Sequence, residues 1–268
     1  MPRFCANISL MFNEVPLLDR PKAARAAGFT AIEVQFPYVA PLDDFARAVE
    51  TAGVEVVLIN FPGGDADKGD RGLGALPARV DEFRKGVEAA RRYAERLKTK
   101  RINLLAGVPG PDADRDRVRR TLVDNMRFAA NAVADLGVTV MVEAINTRDI
   151  PGFYVSDPDQ TVALMDEAGA PNLALQYDLY HMQIMRGDLI PTIERLLPRI
   201  GHIQFADTPG RHEPGTGEIN LPNVFAALDR LGYAGWVGAE YRPRGTTEEG
   251  LGWFDPWRGD ARKHKLAE

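Results

Sequence analysis

Cysteine is almost absent from this chain of 268 residues, and its scarcity excludes several kinds of protein. The single thiol, Cys5, has no second cysteine with which to form a disulfide within the chain, so the sequence is not that of a disulfide-stabilised secreted domain. Cys5 lies in a strand-like stretch, where a lone cysteine is usually a small buried hydrophobic residue. The fold must therefore depend on a hydrophobic core, and an apolar fraction of 45% is enough to build one.

Long hydrophobic runs are missing as well. No apolar stretch approaches the ~18 residues of a membrane-spanning helix. The first residues, MPRFCANISLMF, lack the apolar core of a secretory signal peptide. We therefore expect a cytoplasmic protein that has no membrane partner.

A concentrated basic surface is the third absence. The formal net charge is −5, and the 33 Lys and Arg residues are scattered along the chain. Nucleic-acid binding needs many Lys and Arg side chains on one face of the protein, so nucleic acid is not expected as a partner. A small anionic substrate remains compatible with this charge, because one or two local Arg residues can bind it.

What the sequence does contain is a regular alternation of short apolar segments with longer helical patterns. Eight short segments predict strands, and most are continuous apolar runs, as in parallel strands that are buried on both faces. The predicted strands are Phe4–Ile8, Ala31–Val34, Glu55–Asn60, Arg101–Leu105, Thr139–Glu143, Leu173–Asp178, His202–Phe205 and Trp236–Glu240.

Helical patterns fill the intervals between these strands. Apolar residues recur at three- and four-residue steps over Val80–Leu97 and Leu122–Leu136, and glycines such as Gly53 and Gly137 stand where a helix C-cap is expected. This repetition favours a (β/α)8 TIM barrel, in which about 250 residues form one domain. We expect a single domain over residues 1–268, with an open doubly wound sheet as the alternative.

Two connections are too long for simple turns. Residues 61–77, FPGGDADKGDRGLGALP, and residues 207–220, DTPGRHEPGTGEIN, each follow a predicted strand. Loops in this position belong to the C-terminal face of a barrel, where such enzymes carry their chemistry. The first loop is rich in glycine but lacks the residue order of a phosphate-binding loop, so we interpret it as a mobile lid.

Polar side chains stand at the ends of the last four predicted strands. Strand five ends at Glu143 and strand six at Asp178, while strand seven presents Gln204 and strand eight ends at Glu240. These residues are each about one strand-and-helix unit apart. Because neighbouring parallel strands lie ~4.8 Å apart and end on the same face, the four side chains can converge on a single ion.

Three carboxylates and one amide suit a divalent cation that prefers oxygen ligands. We expect Mg²⁺ or Mn²⁺, with Co²⁺ also compatible, rather than structural zinc or copper. A cluster of buried carboxylates without a cation would be costly. The alternative is that the four residues are separate capping or salt-bridging groups.

Two further residues are candidates for substrate binding. His181 lies three residues after Asp178, so it should lie beside the metal, where we interpret it as a substrate-polarising group. Arg211 lies in the long loop after strand seven and is a candidate for binding a substrate carboxylate through two hydrogen bonds. A structural histidine and a solvated loop arginine are the competing interpretations.

At these residues the sequence resembles the hydroxypyruvate isomerase branch of the xylose isomerase-like TIM barrels, over nearly the whole chain. The resemblance rests on ANISLMFNE, GFTAIEVQFPY, EAINTRDIPGF, QYDLYHMQ, HEPGTGEIN and GWVGAEYRP. It implies that Glu143 and Glu240 are the catalytic acid/base glutamates and hold the metal together with Asp178 and Gln204. Relatives that act on ketose sugars usually have His at the position of Gln204, which points away from a ketose 3-epimerase.

The implied reaction interconverts hydroxypyruvate and 2-hydroxy-3-oxopropanoate (tartronate semialdehyde). A proton next to a carbonyl is removed and returned at the neighbouring carbon, through an enediolate that a metal stabilises. A hydride shift between the carbons is the rival route. The sister activity is 2-oxo-tetronate isomerase: INTRDIPGFYV and QYDLYHMQ look more like the hydroxypyruvate enzymes, and RPRGTTEEGLGWFDPW more like the tetronate enzymes.

Two functions of a different class compete with an isomerase. A metal-dependent nuclease like the AP endonucleases would have several His ligands and a basic groove, whereas this chain has four His and is acidic. A barrel that binds a sugar or an acid without turnover is the second possibility, and metal-dependent turnover would exclude it. The sequence is compatible with a monomer or a homo-oligomer.

Overall fold

The computed structural model describes residues 2–258, and all eight predicted strands are present in it. They are parallel neighbours in chain order and form a closed barrel, so the (β/α)8 prediction is confirmed and the open doubly wound sheet is wrong. Residues 1 and 259–268 of the predicted domain lie outside the described residues. The strands are β1 (Arg3–Asn7), β2 (Ala31–Val34), β3 (Glu55–Asn60), β4 (Arg101–Leu104), β5 (Thr139–Glu143), β6 (Leu173–Asp178), β7 (Ile200–Phe205) and β8 (Trp236–Ala239).

Between residues 2 and 258, eight α-helices accompany the strands. They are α1 (Arg20–Ala26), α2 (Leu42–Ala52), α3 (Val80–Leu97), α4 (Arg115–Val133), α5 (Pro158–Ala168), α6 (Leu179–Met185), α7 (Leu189–Leu196) and α8 (Leu221–Arg230). A last 3-10 helix spans Leu251–Trp257. Within residues 2–258, none of the helices combines the length and the apolar character needed to cross a membrane.

The described chain forms two compact parts, Leu58–Gln204 and the remaining residues. In the latter part, β1 pairs in parallel with β2 and with β8. Behind these strands lies an aromatic cluster around Phe4, whose ring centroid is 5.9 Å from that of Phe205, 4.9 Å from Phe225 and 5.3 Å from Trp253. Edge-to-face pairs of this kind add roughly 0.5–1.5 kcal/mol each beyond the burial of their surface.

In the part Leu58–Gln204, β4 to β7 pair in parallel, each with the next strand. The register places Glu143 opposite Gln176 and Asp178 opposite Gln204. Helices α3 and α4 cover their strands with apolar stripes, and the buried residues of α3 include the predicted Phe83, Val87, Ala90, Ala94 and Leu97. The pairing therefore brings the polar ends of β5, β6 and β7 to neighbouring positions.

Two glycines end helical segments as predicted. Gly53 follows α2 with φ 64°, and Gly137 follows a short 3-10 segment after α4 with φ 63°. These angles lie in the left-handed region, where a residue with a side chain costs roughly 1–2 kcal/mol. Each glycine lets the chain turn back directly into the next strand.

The loop at residues 61–77 is exposed only in part. Its exposed residues concentrate in 64–71. After Gly72 the chain is mostly buried, and the amide of Gly74 donates to the carbonyl of Leu105 over 3.0 Å. A mobile lid, as interpreted from the sequence, would therefore be limited to the residues before Gly72, and its motion stays a prediction.

The aromatic cluster predicts a large loss of stability on truncation. Phe225 is 2% exposed and contacts Phe4 and Trp253, so Phe225→Ala should lower the free energy of unfolding by about 3–5 kcal/mol through the cavity it leaves. Urea unfolding measures this change. Val39→Ala is the control, because Val39 is 82% exposed and its truncation should change stability by less than about 0.5 kcal/mol. Equal losses in the two variants would contradict the placement of Phe225 in the core.

Candidate active site

Glu143 is the last residue of β5, and its side chain is almost completely buried, with 4% exposed. In the β4–β5 register, Asn103 stands opposite Met141, two residues before Glu143. From there Nδ2 of Asn103 donates to Oε2 of Glu143 over 2.7 Å. This charge-assisted bond fixes one carboxylate oxygen. The other oxygen, Oε1, lies 3.7 Å from Nε2 of His181.

Asp178 ends β6 and is completely buried. It is also the N-cap of α6, because its Oδ1 accepts the backbone N–H of Tyr180 over 2.8 Å. A carboxylate is favoured there, since the first N–H groups of a helix have no acceptor within the helix. Oδ2 lies 3.5 Å from Nε2 of His181. Capping therefore leaves Oδ1 at the helix and places Oδ2 toward the histidine.

His181 lies in the first turn of α6, three residues after Asp178, a spacing that places two side chains on the same face of a helix. The residue is 2% exposed. Its other ring nitrogen, Nδ1, lies 2.7 Å from Nδ2 of Asn146, in the segment that follows β5. The structure thus brings together Glu143, Asp178 and His181, three residues that the sequence singled out.

Gln204 lies on β7 opposite Asp178 and is 1% exposed. Its carbonyl oxygen, Oε1, accepts a hydrogen bond of 2.6 Å from Nε2 of Gln176. Gln176 in turn stands opposite Glu143 in the β5–β6 pairing. Gln204 therefore occupies the predicted strand position beside Asp178, and its role as a metal ligand stays a prediction.

The carboxylates of Glu143 and Asp178 fit a divalent cation. One oxygen of each carboxylate and one ring nitrogen of His181 lie within 4.8 Å of one another. Two carboxylates buried side by side repel each other unless a positive charge compensates them. A cation that prefers oxygen would supply this charge. The prediction of a metal site is therefore compatible with the structure, while the identity of the ion stays a prediction.

Glu240 directly follows β8 and is 3% exposed. Its Oε1 accepts amide hydrogen bonds from Asn7 and Gln35, and its Oε2 forms an ion pair of 2.7 Å with Nη2 of Arg211. The next residue, Tyr241, accepts a hydrogen bond from Trp253, and burial raises the pKa of the Tyr241 hydroxyl. Glu240 is therefore held by neutral amides at one oxygen and by a guanidinium at the other.

Another buried carboxylate, Glu33 on β2, is linked to Glu240 through Asn7. Nδ2 of Asn7 donates to Oε1 of Glu33 over 3.0 Å and to Oε1 of Glu240 over 3.2 Å. Its Oδ1 accepts the backbone N–H of Ser9 over 3.0 Å, which fixes the orientation of the amide. Gly238 makes room for Glu33, because a Cβ there would come within 2.6 Å of the carboxylate. The amide of Asn7 thus orients two carboxylates at once.

Arg211 is carried by the loop at residues 207–220, which Asp207 organises. Asp207 is completely buried, and its backbone N–H donates to the carbonyl of His212 over 2.8 Å, closing a turn in which Arg211 has φ 59°. The peptide between Thr208 and Pro209 is cis. The carboxylate of Asp207 accepts backbone N–H groups over 2.9–3.0 Å from Thr208, Gly215, Gly217 and Ile219. The loop therefore places Arg211 beside Glu240, and its role in binding a substrate carboxylate stays a prediction.

Several residues that hold these carboxylates were not predicted from the sequence. Asn7 ends β1, and Asn103 is the penultimate residue of β4, so a polar residue near the end of an otherwise apolar strand was the signal that could have found them. The sequence prediction used this signal only for the last four strands. Asn146 and Gln35 lie in connections, where a polar residue carries no comparable signal.

The chain is similar to several known proteins. The family described as xylose isomerase-like TIM barrel matches residues 21–257. A 2-oxo-tetronate isomerase of Cupriavidus necator is 47% identical, over 97% of this chain and 100% of that protein. A hydroxypyruvate isomerase of Escherichia coli is 43% identical, over 96% of this chain and 100% of that protein. Among solved structures, the crystal structure of AP endonuclease, family 2, from Brucella melitensis is 44% identical, with a TM-score of 0.94 over 96% of this chain and 100% of that chain.

The hydrogen bonds of Asp207 predict what its removal would do. Asp207→Ala takes the acceptor from four backbone N–H groups, and a buried donor left without a partner costs about 1–3 kcal/mol. We expect these amides to exchange with deuterium much faster and the free energy of unfolding to fall by at least ~2 kcal/mol. Hydrogen-exchange mass spectrometry and urea unfolding measure the two effects. Glu248→Ala, at an exposed position, is the control, and unchanged exchange in the loop would contradict the role of Asp207.

Proposed function

Because the chain belongs to the xylose isomerase-like TIM barrel family, we propose that it is an isomerase that moves a carbonyl group between neighbouring carbons of a short hydroxy-oxo acid. The proposed reaction interconverts hydroxypyruvate and 2-hydroxy-3-oxopropanoate. The observation that carries the proposal is the buried pair Glu143 and Asp178, which faces His181 at the ends of β5 and β6. Relatives that are 43–47% identical over nearly their whole length carry the names of isomerases of this type.

A second candidate substrate is 2-oxo-tetronate. It is supported by relatives in Cupriavidus necator and Pectobacterium atrosepticum, 47% and 43% identical, which are named 2-oxo-tetronate isomerase. This substrate is longer than hydroxypyruvate by one hydroxyl-bearing carbon, and both acids carry a carboxylate, a neighbouring carbonyl and a hydroxyl on the next carbon. One site of this design can therefore act on both acids at different rates.

A ketose 3-epimerase and a nuclease have less support as functions of this chain. The epimerase would have His at the position of Gln204 according to the resemblance of the sequence. The nuclease finds some support in the description of the Brucella protein as an AP endonuclease. However, the net charge of −5 and the scattered basic residues do not favour a phosphate backbone as ligand.

For the metal we propose that Glu143, Asp178, Gln204 and Glu240 hold one divalent cation, Mg²⁺ or Mn²⁺. In support, the four residues lie at or next to the ends of the consecutive strands β5 to β8, and each is at most 4% exposed. When bound, the cation would act as a Lewis acid that stabilises negative charge on the substrate oxygens.

Glu143 and Glu240 are the proposed acid/base pair. One removes a proton from the hydroxyl-bearing carbon next to the carbonyl, and the other supports the return of a proton at the former carbonyl carbon. The intermediate is an enediolate, in which the hydroxyl proton passes from the first oxygen to the second. Asn103 holds one oxygen of Glu143, and Asn7 with Gln35 hold one oxygen of Glu240. Amide donors orient a carboxylate without transferring a proton to it, so each glutamate keeps a defined direction for proton transfer.

Arg211 is the proposed partner of the substrate carboxylate. Its Nη2 pairs with Oε2 of Glu240. A guanidinium carries five N–H donors in a planar fork, more than one ion pair uses. One side chain can therefore hold Glu240 and an anionic substrate group together. His181, beside Glu143 and Asp178, is proposed to polarise a substrate oxygen.

We further propose that the chain works as a single domain, in the cytoplasm, on a small anionic substrate, without nucleic acid or membrane as partner. These proposals rest on its composition and on the distribution of its charges.

A substrate panel tests the proposed function. Hydroxypyruvate, 2-oxo-tetronate and several ketoses are each assayed with Mg²⁺, with Mn²⁺ and with a chelator. We expect turnover of hydroxypyruvate that is lost with the chelator. Glu143→Gln and Glu240→Gln should lower kcat by several orders of magnitude, roughly 10²–10⁴-fold, because they lack the proton-transferring group. Glu88→Gln, on the exposed face of α3, is the matched control and should leave kcat unchanged.

The outcomes of the panel separate the candidates. Turnover of ketoses alone, or full turnover in the chelator, would contradict the proposal. Repeating the assay in D₂O distinguishes the two routes for hydrogen. Proton transfer introduces solvent deuterium into the early product unless the same base returns a shielded proton, and a hydride shift introduces none.

The Arg211 assignment predicts a defect in substrate binding. Arg211→Ala should raise the KM for hydroxypyruvate by about 10- to 100-fold, since a hydrogen bond to a charged group contributes about 1.5–3 kcal/mol. Because Arg211 also pairs with Glu240, kcat should fall as well. Arg195→Ala, which removes an exposed arginine paired with Asp159, is the control for charge. An unchanged KM in Arg211→Ala would show that another group binds the carboxylate.

A further inference from the structure

Asn146 lies three residues after the end of β5 and is completely buried beside His181. An amide side chain has one accepting end and one donating end, and its neighbours identify them. The backbone N–H of Asp149 can only donate, and it is directed at Oδ1 of Asn146 over 2.8 Å. The donating Nδ2 therefore faces Oδ2 of Asp149 at 3.1 Å and Nδ1 of His181 at 2.7 Å.

This orientation determines the protonation of the imidazole. Nδ2 of Asn146 carries only N–H donors, so Nδ1 of His181 must be the acceptor. A neutral imidazole that accepts at Nδ1 carries its proton on Nε2. Nε2 is the nitrogen that lies 3.5 Å from Oδ2 of Asp178 and 3.7 Å from Oε1 of Glu143. The proton of His181 is therefore on the side of the two buried carboxylates.

Further contacts prevent the side-chain amide of Asn146 from rotating by 180°, which would exchange the positions of its oxygen and its nitrogen. The reverse orientation would aim the N–H groups of Asn146 at the backbone N–H of Asp149 and its carbonyl oxygen at the carboxylate of Asp149. The same carboxylate oxygen, Oδ2, accepts the hydroxyl of Tyr180 over 2.7 Å, which holds Asp149 in place. Since Tyr180 is the neighbour of His181 on α6, this hydrogen-bond network ties the segment after β5 to the helix that carries the histidine.

We propose that Asn146 is a positioning residue that fixes His181 in the Nε2–H tautomer, so that His181 donates a hydrogen bond to the substrate oxygen and does not ligate the metal through Nε2. A histidine that ligates a metal through Nε2 offers the ion a lone pair there and donates its Nδ1–H to an acceptor. Asn146 excludes this arrangement, because its Nδ2 donates to Nδ1. A donor directed at an oxygen on which negative charge develops speeds up the reaction. This catalytic consequence rests on the proposed function, whereas the tautomer rests on geometry alone.

Direct ¹⁵N NMR of the histidine side chains tests the tautomer without any assay of turnover. The chain has four histidines, so the spectrum is simple, and His181→Gln identifies the signals of His181. Spectra are recorded at about pH 8, above the ordinary imidazole pKa of ~6.5, in a chelator and again with Mg²⁺, which is diamagnetic. We expect a protonated Nε2 and an unprotonated Nδ1 under both conditions. A protonated Nδ1, or loss of the Nε2 proton on addition of Mg²⁺, would overturn the proposal.

Asn146→Asp tests the role of the amide. A carboxylate can only accept at this position, so Nδ1 of His181 should become protonated and kcat should fall by roughly 100-fold with a smaller change in KM. The double variant Asn146→Asp/Asp149→Asn keeps the local charge. It should show the same protonation of Nδ1 of His181 and the same fall in kcat. Asn220→Asp adds one negative charge at the N-cap of α8, where Asp is an equally good cap, and should change neither the tautomer nor kcat.

The tautomer measured by NMR and the kcat measured in the activity assay test this proposal and the proposed function separately. An unchanged tautomer in both Asn146→Asp variants, or a reversed tautomer with unchanged kcat, would overturn the positioning role of Asn146. If the wild-type tautomer is as expected and the variants reverse it, but no acid of the panel is turned over, the tautomer is upheld and the proposed isomerase activity fails.

Discussion

Glu143 and Asp178 are buried side by side at the ends of neighbouring strands. The rest of the site depends on groups that replace the hydration these two carboxylates lose. A carboxylate that leaves water loses hydration worth several kcal/mol, which hydrogen-bond donors or positive charge must replace. Asn103 does so at one oxygen of Glu143, and the first turn of α6 does so at one oxygen of Asp178. The barrel supplies both donors through its regular elements. The second oxygen of each carboxylate lies near His181, which makes this group the centre of the proposed chemistry.

The kind of donor matters as much as the number of donors. A neutral amide and a backbone N–H orient Glu143 and Asp178 without cancelling their charge, so the negative charge remains to attract a cation. Glu240 is treated differently, because the guanidinium of Arg211 compensates one of its oxygens. The position of Arg211 in turn depends on a loop whose backbone N–H groups are gathered around the buried carboxylate of Asp207. A change in the length of this loop would disrupt the arrangement of its backbone N–H groups. Asn103 lies on a strand and would keep its position.

The sequence predicted the barrel and the buried polar residues at the strand ends because both leave a local pattern. Parallel strands buried on both faces are continuous apolar runs, and a carboxylate at the end of such a run is conspicuous. The supporting amides leave no such pattern. Asn103 lies 40 residues from Glu143 and Asn7 lies 233 residues from Glu240, so these hydrogen bonds exist only once the strands have paired. Asn146 is harder still to predict, since asparagine in a connection is usually there for the turn and not for a neighbouring histidine.

The structure also bears on why the sequence resembles two kinds of isomerase in different stretches. INTRDIPGFYV and QYDLYHMQ, which look more like the hydroxypyruvate enzymes, contain Asn146, Tyr180 and His181, whose hydrogen-bond network surrounds the candidate site. RPRGTTEEGLGWFDPW, which looks more like the tetronate enzymes, begins beside Arg211, because the backbone N–H of Arg242 donates to the carbonyl of Arg211 over 2.8 Å. Its Thr247 accepts the backbone N–H of Phe12, and Leu251–Trp257 contributes aromatic rings to the cluster around Phe4. The two resemblances therefore fall beside two different candidate substrate-binding residues, His181 for the first pair of stretches and Arg211 for the last.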